Sequence, residues 1–203
     1  RNGSKSRLGE QVSLRWGLAN SNNWISAYLM SLFTPESLVK LMKSFGIRSH
    51  LDPVLALSLG ICDISVAEMV DAYTAFPNKG IRVEPLYVTR IEDSNGNVIA
   101  SFNPEMHEIF SENTSYKMIY MLRSVVDGGT GGRIRSRYGL NMQMGGKTGT
   151  TQNNSDGWFM GFTPSLVSGV WVGGEDRSIH FDNIAEGQGA SMALPIWALY
   201  MKK

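Results

Sequence analysis

The run Gly146-Lys147-Thr148-Gly149-Thr150 sets an amine and two hydroxyls beside two residues that have no side chain. Two chemistries use such a run. A phosphate-binding loop wraps backbone N–H groups and a lysine around phosphate oxygens at the start of a helix. A strand carrying Lys-Thr-Gly instead lines an acyl-transfer cleft, where the glycine lets another backbone lie close. The phosphate loop needs a glycine five positions before Gly146, where Asn141 stands, and a helix after Thr148. Here the chain runs into Gln152-Asn-Asn-Ser-Asp156 and then the strand-like Trp158-Phe-Met-Gly-Phe162, so that reading fails twice. On a strand, alternation places Lys147 and Gly149 on one face and Thr148 and Thr150 on the other. Alone the triplet is a short signal, and a solvated lysine on a hairpin edge is the plain alternative.

Composition bounds the partners. The 203 residues are 42% hydrophobic and 18% charged with a formal net charge of +1, enough for one full core. No basic stripe appears, which argues against nucleic acid. The run Arg133-Ile-Arg-Ser-Arg137 follows Gly-Gly-Thr-Gly-Gly and is expected to be a solvated loop. Cys62 is the single cysteine and is expected to act as a small buried hydrophobe. No run of about eighteen apolar residues is present. His50, His107 and His180 are scattered without ligand spacing, so no metal and no cofactor is expected.

The elements that must position the run follow from periodicity. Residues 11–30 read as two short helices parted by the elbow Asn20-Ser21-Asn22-Asn23. Thr34-Pro35 starts a third helix and Gly46 ends it, while Ser65 opens a fourth. Two strands, Leu86–Ile91 and Val98–Phe102, flank a turn with an Asn-Gly pair. A helix over 115–126 follows, then a glycine-rich loop. Three strand candidates come next, at 143–151, 157–162 and 166–173. A last helix spans 193–201, with Pro195 in its first turn.

Several segments in order then carry a resemblance: Leu55-Ala-Leu-Ser-Leu-Gly60, Ala72-Tyr-Thr-Ala-Phe76, Met121-Leu-Arg-Ser-Val-Val126 with Gly129-Thr-Gly131, Gly146-Lys-Thr-Gly-Thr-Thr151, Asp156-Gly-Trp-Phe-Met-Gly-Phe-Thr-Pro164, Val170-Trp-Val-Gly173 and Ala193-Leu-Pro-Ile-Trp197. From about Gly9 onward the chain resembles the later part of the transpeptidase domain of class A penicillin-binding proteins. The resemblance implies an α+β fold of the transpeptidase and serine β-lactamase type, an antiparallel sheet flanked by helices. It also implies residues 1–8 as a linker or terminal edge, with residues 9–203 as the C-terminal part of the domain. The three late strands would form a meander, and the sheet would be incomplete at its N-terminal side.

That family uses Ser-x-x-Lys, Ser-x-Asn and Lys-Thr-Gly in fixed order. Ser-x-Asn occurs at Ser21, Ser101 and Ser111. The resemblance of Leu14–Asn23 to the family's helix-to-elbow segment selects Ser21 and Asn23, and Ser111 is better explained as a helix cap. By carry-over Ser21 and Lys147 are catalytic: Ser21 relays a proton, and Lys147 adds positive potential and orders Ser21. By the same carry-over Asn23 would bind the substrate's backbone amide, Gly149 would give it room, and the Thr148 and Thr150 hydroxyls would hold its terminal carboxylate. The Thr150 N–H would form half of an oxyanion hole. The nucleophile should precede Ser21, yet residues 1–20 contain no Ser-x-x-Lys. The one such string, Ser37-Leu-Val-Lys40, comes in the wrong order. The chain is therefore expected to supply two walls of the site without the nucleophile and to be inactive alone.

The implied parent is an extracytoplasmic, membrane-anchored bifunctional synthase. Its partners would be stem peptides ending in D-Ala-D-Ala, β-lactams, the upstream half of the domain and a glycosyltransferase domain. A carboxypeptidase or β-lactamase of the same fold, or a non-catalytic interaction domain, are the alternatives.

Overall fold

The computed structural model describes Arg7 and residues 9–202, so most of the expected linker 1–8 lies outside the described residues. Two short helices, α1 (Leu14–Ala19) and α2 (Asn23–Ser31), sit on either side of the elbow. Thr34 caps α3 (Pro35–Ser44) by accepting from the Ser37 N–H, with Pro35 in the first turn and Gly46 at φ +88° just past the end. A 3₁₀ turn at Leu55–Leu59 leads to α4 (Val66–Thr74). Its N-terminus is a capping box between Ser65 and Glu68. Glu68 also accepts from the backbone N–H groups of Arg48 and Ser49. Burial alone would raise its carboxyl pKa, but the bonds from Ser49 and Ser65 outweigh it and hold the value at about 2.

Two small antiparallel ribbons follow. In one, β1 (Ile81–Val83) pairs with β4 (Met106–Glu108); in the other, β2 (Arg90–Glu92) pairs with β3 (Val98–Ser101). The second is the expected hairpin, shorter than its pattern because its residues are almost all exposed and have no core to extend over. Arg82 of β1 is buried and holds Asp71 of α4 through two bonds of 2.9 and 2.7 Å.

Helix α5 (Glu112–Gly128), capped by Ser111, runs longer than its apolar pattern suggests. After it, the basic run is not the solvated loop that its charge implied. It forms α6 (Arg133–Ser136), because Ile134 is fully buried in the main core. Arg135 turns back to bond Asp127 and the carbonyls of Leu140 and Met142.

The late strands β5 (Gly145–Thr150), β6 (Asp156–Phe162) and β7 (Val167–Gly173) make the expected meander. The register sets Lys147 opposite Met160 and Thr150 opposite Gly157. Strand β6 is buried along nearly its whole length, so it shows no alternation. After the short α7 (Ile184–Gly187), helix α8 (Gly189–Tyr200) lies across all three strands, α5 lies on β5, and α4 on β7. The central core joins Val126, Ile134, Phe159, Leu194 and Trp197, with the Phe159 and Trp197 rings edge-to-face at 5.1 Å. Pro195 is not in the first turn of α8, because the helix starts four residues earlier than its apolar run. Gly189 and Ala190 extend it under the sheet, where only small residues fit.

A second cluster gathers Ile47, Leu51, Leu57 and Ala72, with Cys62 half-buried beside it. Burial, then the Asp63 charge, pushes the Cys62 thiol up. Among the described residues no helix is long and apolar enough to cross a membrane.

Candidate active site

The elbow between α1 and α2 is a complete helix-ending motif. The Ser21 N–H donates to the Leu18 carbonyl at 3.1 Å and the Asn22 N–H to the Gly17 carbonyl at 2.9 Å. That pattern puts the residue after the cap in the left-handed region, a place usually taken by glycine. Here it is Ser21, at φ +51°. An L-residue there costs about 1–2 kcal/mol, so the side chain needs a reason to be present. The next residue, Asn22, caps α2 by accepting from the Ile25 N–H at 3.1 Å. Asn23 is thereby the first residue of α2, half-buried beside the elbow.

The reason lies across the fold. The Lys147 ammonium donates to the Ser21 hydroxyl at 2.8 Å and to the Thr148 carbonyl at 2.9 Å. The two side chains are 126 residues apart in the chain. Burial lowers the Lys147 pKa from 10.5 to about 8. An amine in that range exchanges its proton readily near neutral pH.

Three residues hold the elbow and the strand at this distance. The Thr130 N–H donates to the Ala19 carbonyl at the end of α1 (2.9 Å). Its hydroxyl meets the Thr148 hydroxyl at 2.7 Å. Gly129 lies so close to the Ala19 carbonyl that a Cβ would collide with it. On the other side, the Gly189 N–H at the start of α8 donates to the Thr150 hydroxyl at 3.0 Å. A Cβ at Gly189 would strike the carbonyls of Gly149 and Trp158. Strand β5 is thus backed by α8 and tied to the elbow through Thr130.

Strand β5 pairs with β6 along one edge, and among the described residues no strand pairs with its other edge. Burial falls along it, from buried Gly145 and Gly146 through half-buried Lys147 and Gly149 to exposed Thr150. Each hydroxyl retains capacity. Thr150 accepts from Gly189 and keeps its own O–H to donate. The Thr130–Thr148 pair uses one of its two O–H protons internally and keeps the other.

A match to the model of the penicillin binding protein transpeptidase domain covers residues 2–174. The chain belongs to the penicillin-binding protein transpeptidase family. Penicillin-binding protein 1A of Aquifex aeolicus is 35% identical to it over 191 residues, 94% of this chain and 25% of that protein. Penicillin-binding protein 2D of Bacillus subtilis is 33% identical over 199 residues, 94% of this chain and 28% of that one. The chain therefore spans about a quarter of the length of these relatives. The crystal structure of penicillin-binding protein 1A from Haemophilus influenzae superposes with a TM-score of 0.84 at 25% identity, covering 94% of this chain and 34% of that one. The fold class expected from the transpeptidase resemblance is therefore the observed one.

Of the residues expected at the site, the fold brings Ser21 and Lys147 into direct contact, with Thr148, Gly149 and Thr150 on the same strand and Asn23 at the elbow. Sequence reasoning gave no role to Thr130, Gly129 or Gly189. Gly129-Thr-Gly131 stood out only as a segment resembling the transpeptidase family, and nothing in its spelling names Ala19 or Thr148 as partners. Ser37, in the one Ser-x-x-Lys string, is exposed and donates its hydroxyl to the Thr34 carbonyl at 2.7 Å, as a first-turn serine does.

Two measurements follow from the strained serine and the buried lysine. Ser21→Gly relieves the left-handed backbone but loses the Lys147 bond, so its unfolding free energy should stay within about 1 kcal/mol of wild type. Ser21→Ala loses the bond with no relief and should fall below it by about 1 kcal/mol in denaturant titrations. For Lys147, the unfolded chain binds the proton more tightly than the folded one. Stability must then rise with pH between about 8 and 10.5, and Lys147→Met should flatten that rise.

Proposed function

We propose that the chain forms the Ser-x-Asn and Lys-Thr-Gly walls of a DD-transpeptidase site that cross-links peptidoglycan stem peptides. The observation that carries the reading is the 2.8 Å contact between Lys147 and Ser21, set beside a strand edge that, among the described residues, no other strand pairs with. A stem peptide ending in D-Ala-D-Ala lies antiparallel to β5 as an extended strand. Asn23 binds its backbone amide, and the hydroxyls of Thr148 and Thr150 donate to its terminal carboxylate. Gly149 gives the peptide room.

In the reaction, a serine from a Ser-x-x-Lys segment attacks the carbonyl between the two D-alanines. The negative charge that develops on that oxygen is met by the Thr150 N–H, a donor worth about 3 kcal/mol. The bond to the terminal D-alanine breaks, and that residue leaves as an amine after taking a proton through Ser21. Lys147 keeps the Ser21 hydroxyl oriented and, with its pKa at about 8, shares the proton. The acyl-serine then passes its acyl group to an amine of a neighbouring stem peptide, and Ser21 carries the proton back. β-Lactams acylate the same serine.

The nucleophile is not among residues 1–20, and Ser37 is part of a helix start, so this chain alone is unreactive in this reading. Residues 9–203 act as the later part of the domain. Their partners are its upstream half and a glycosyltransferase domain, in a membrane-anchored enzyme working outside the cytoplasm. A hydrolase of the same fold would use water in place of the amine.

Mass spectrometry after incubation with a penicillin tests the first point: no stoichiometric adduct is expected on the chain alone, and one on Ser37 or elsewhere would overturn it. A polypeptide carrying Ser-x-x-Lys ahead of Gly9 should acylate, and Ser21→Ala or Lys147→Ala should slow it about 100-fold or more. Its products from stem peptides should be cross-linked dimers; trimmed monomers alone would favour the hydrolase.

A further inference from the structure

The ribbon of β1 and β4 gathers a second cluster of polar side chains. Arg82 lies opposite His107 in the register, and the Glu84 N–H donates to the Glu105 carbonyl at 2.9 Å. Residues two apart on a strand share a face, so Arg82, Glu84, Glu105 and His107 all stand on one side of the ribbon. The His107 Nε2 is 3.2 Å from a Glu84 carboxylate oxygen and 3.9 Å from one of Glu105. The ligand atoms of these three residues all lie within 4.8 Å of one another. Ligands held at about 2.0–2.1 Å around a tetrahedral zinc ion sit about 3.3–3.4 Å apart. The His107–Glu84 separation already matches that edge, and the Glu105 carboxylate, on a largely exposed side chain, stands 3.9 Å from the same histidine nitrogen.

The charges fit as well. Arg82 approaches Glu84 at 3.5 Å and would repel a cation, but its two bonds to Asp71 pair it with a buried carboxylate. Once that pair is set aside, Glu84 and Glu105 contribute two negative charges and His107 a neutral nitrogen. The Arg82–Asp71 pair also fixes the ribbon to α4, so Glu84 is presented from a rigid base.

We infer that Glu84, Glu105 and His107 bind a divalent transition-metal ion, of which zinc fits best, on the face of the β1–β4 ribbon that carries Arg82. One imidazole and two carboxylates suit zinc better than magnesium or calcium, which take oxygen ligands only. Water completes the coordination. The ion clamps two strands that are three residues long each and therefore have few ladder bonds of their own. No local pattern points to this site, since the three histidines share no ligand spacing and Glu84 and His107 meet only through the register of paired strands.

The test is calorimetric titration of the chelator-treated chain with zinc chloride. One zinc per chain is expected, together with a higher Tm in its presence. Losing even an outer-shell partner of a metal typically weakens binding 10-fold or more. Glu105→Gln and His107→Asn should therefore each weaken zinc by at least about tenfold. Glu105 is exposed, so its variant should fold, which a far-UV CD spectrum would verify. His50→Asn, which removes the exposed His50–Asp52 pair, should leave the affinity unchanged. No saturable binding, binding untouched by His107→Asn, or equal competition by magnesium would each overturn the inference.

Discussion

The hydrogen bond from Lys147 to Ser21 is the contact on which the rest of the arrangement depends. Both ends are held in states that cost free energy on their own. Ser21 occupies the left-handed backbone region that the helix-ending motif imposes on it. Lys147 carries its ammonium into a half-buried place where burial pulls its pKa down to about 8. Each cost persists because the surrounding structure overdetermines it. The core beneath β6 fixes the strand, and α5 continues through Gly129 and Thr130 to hold the end of α1 beside it.

Seen this way, the two hydroxyls on β5 have distinct parts. Thr148 is buried, and its contact with Thr130 sets the width between strand and elbow. Thr150, two residues on at the exposed end of the same face, has its oxygen satisfied by the start of α8 and its proton still available. The lysine, one threonine pair and one helix start are therefore a single connected unit. Gly129 and Gly189 belong to it by having no side chain, since each admits a carbonyl at a distance that a Cβ would forbid.

Much of this was legible in the sequence, for physical reasons that differ from element to element. The elbow after α1 and the caps at Thr34, Ser65 and Ser111 are local events, written in a few adjacent residues. The meander follows from three strand patterns separated by short turns. The pair of Ser21 and Lys147 was reached through resemblance to the transpeptidase family, because no local pattern links residues that far apart. What stayed hidden depends on tertiary context. Charge made Arg133–Arg137 look solvated, although one isoleucine among the arginines is buried and makes it a helix. Small residues before Ala193 hid the first turn of α8. Thr130 was illegible because its two partners, Ala19 and Thr148, lie on different elements.

The central claim is that Thr130 holds strand and elbow close enough to keep Lys147 buried on Ser21. Titrating the Lys147 ammonium by NMR in the wild-type chain and in Thr130→Val measures it directly. The wild type should titrate at about 8. Thr130→Val should move the midpoint up toward the ordinary 10.5, and Thr130→Ser should leave it in place. A midpoint unchanged in Thr130→Val would contradict the account.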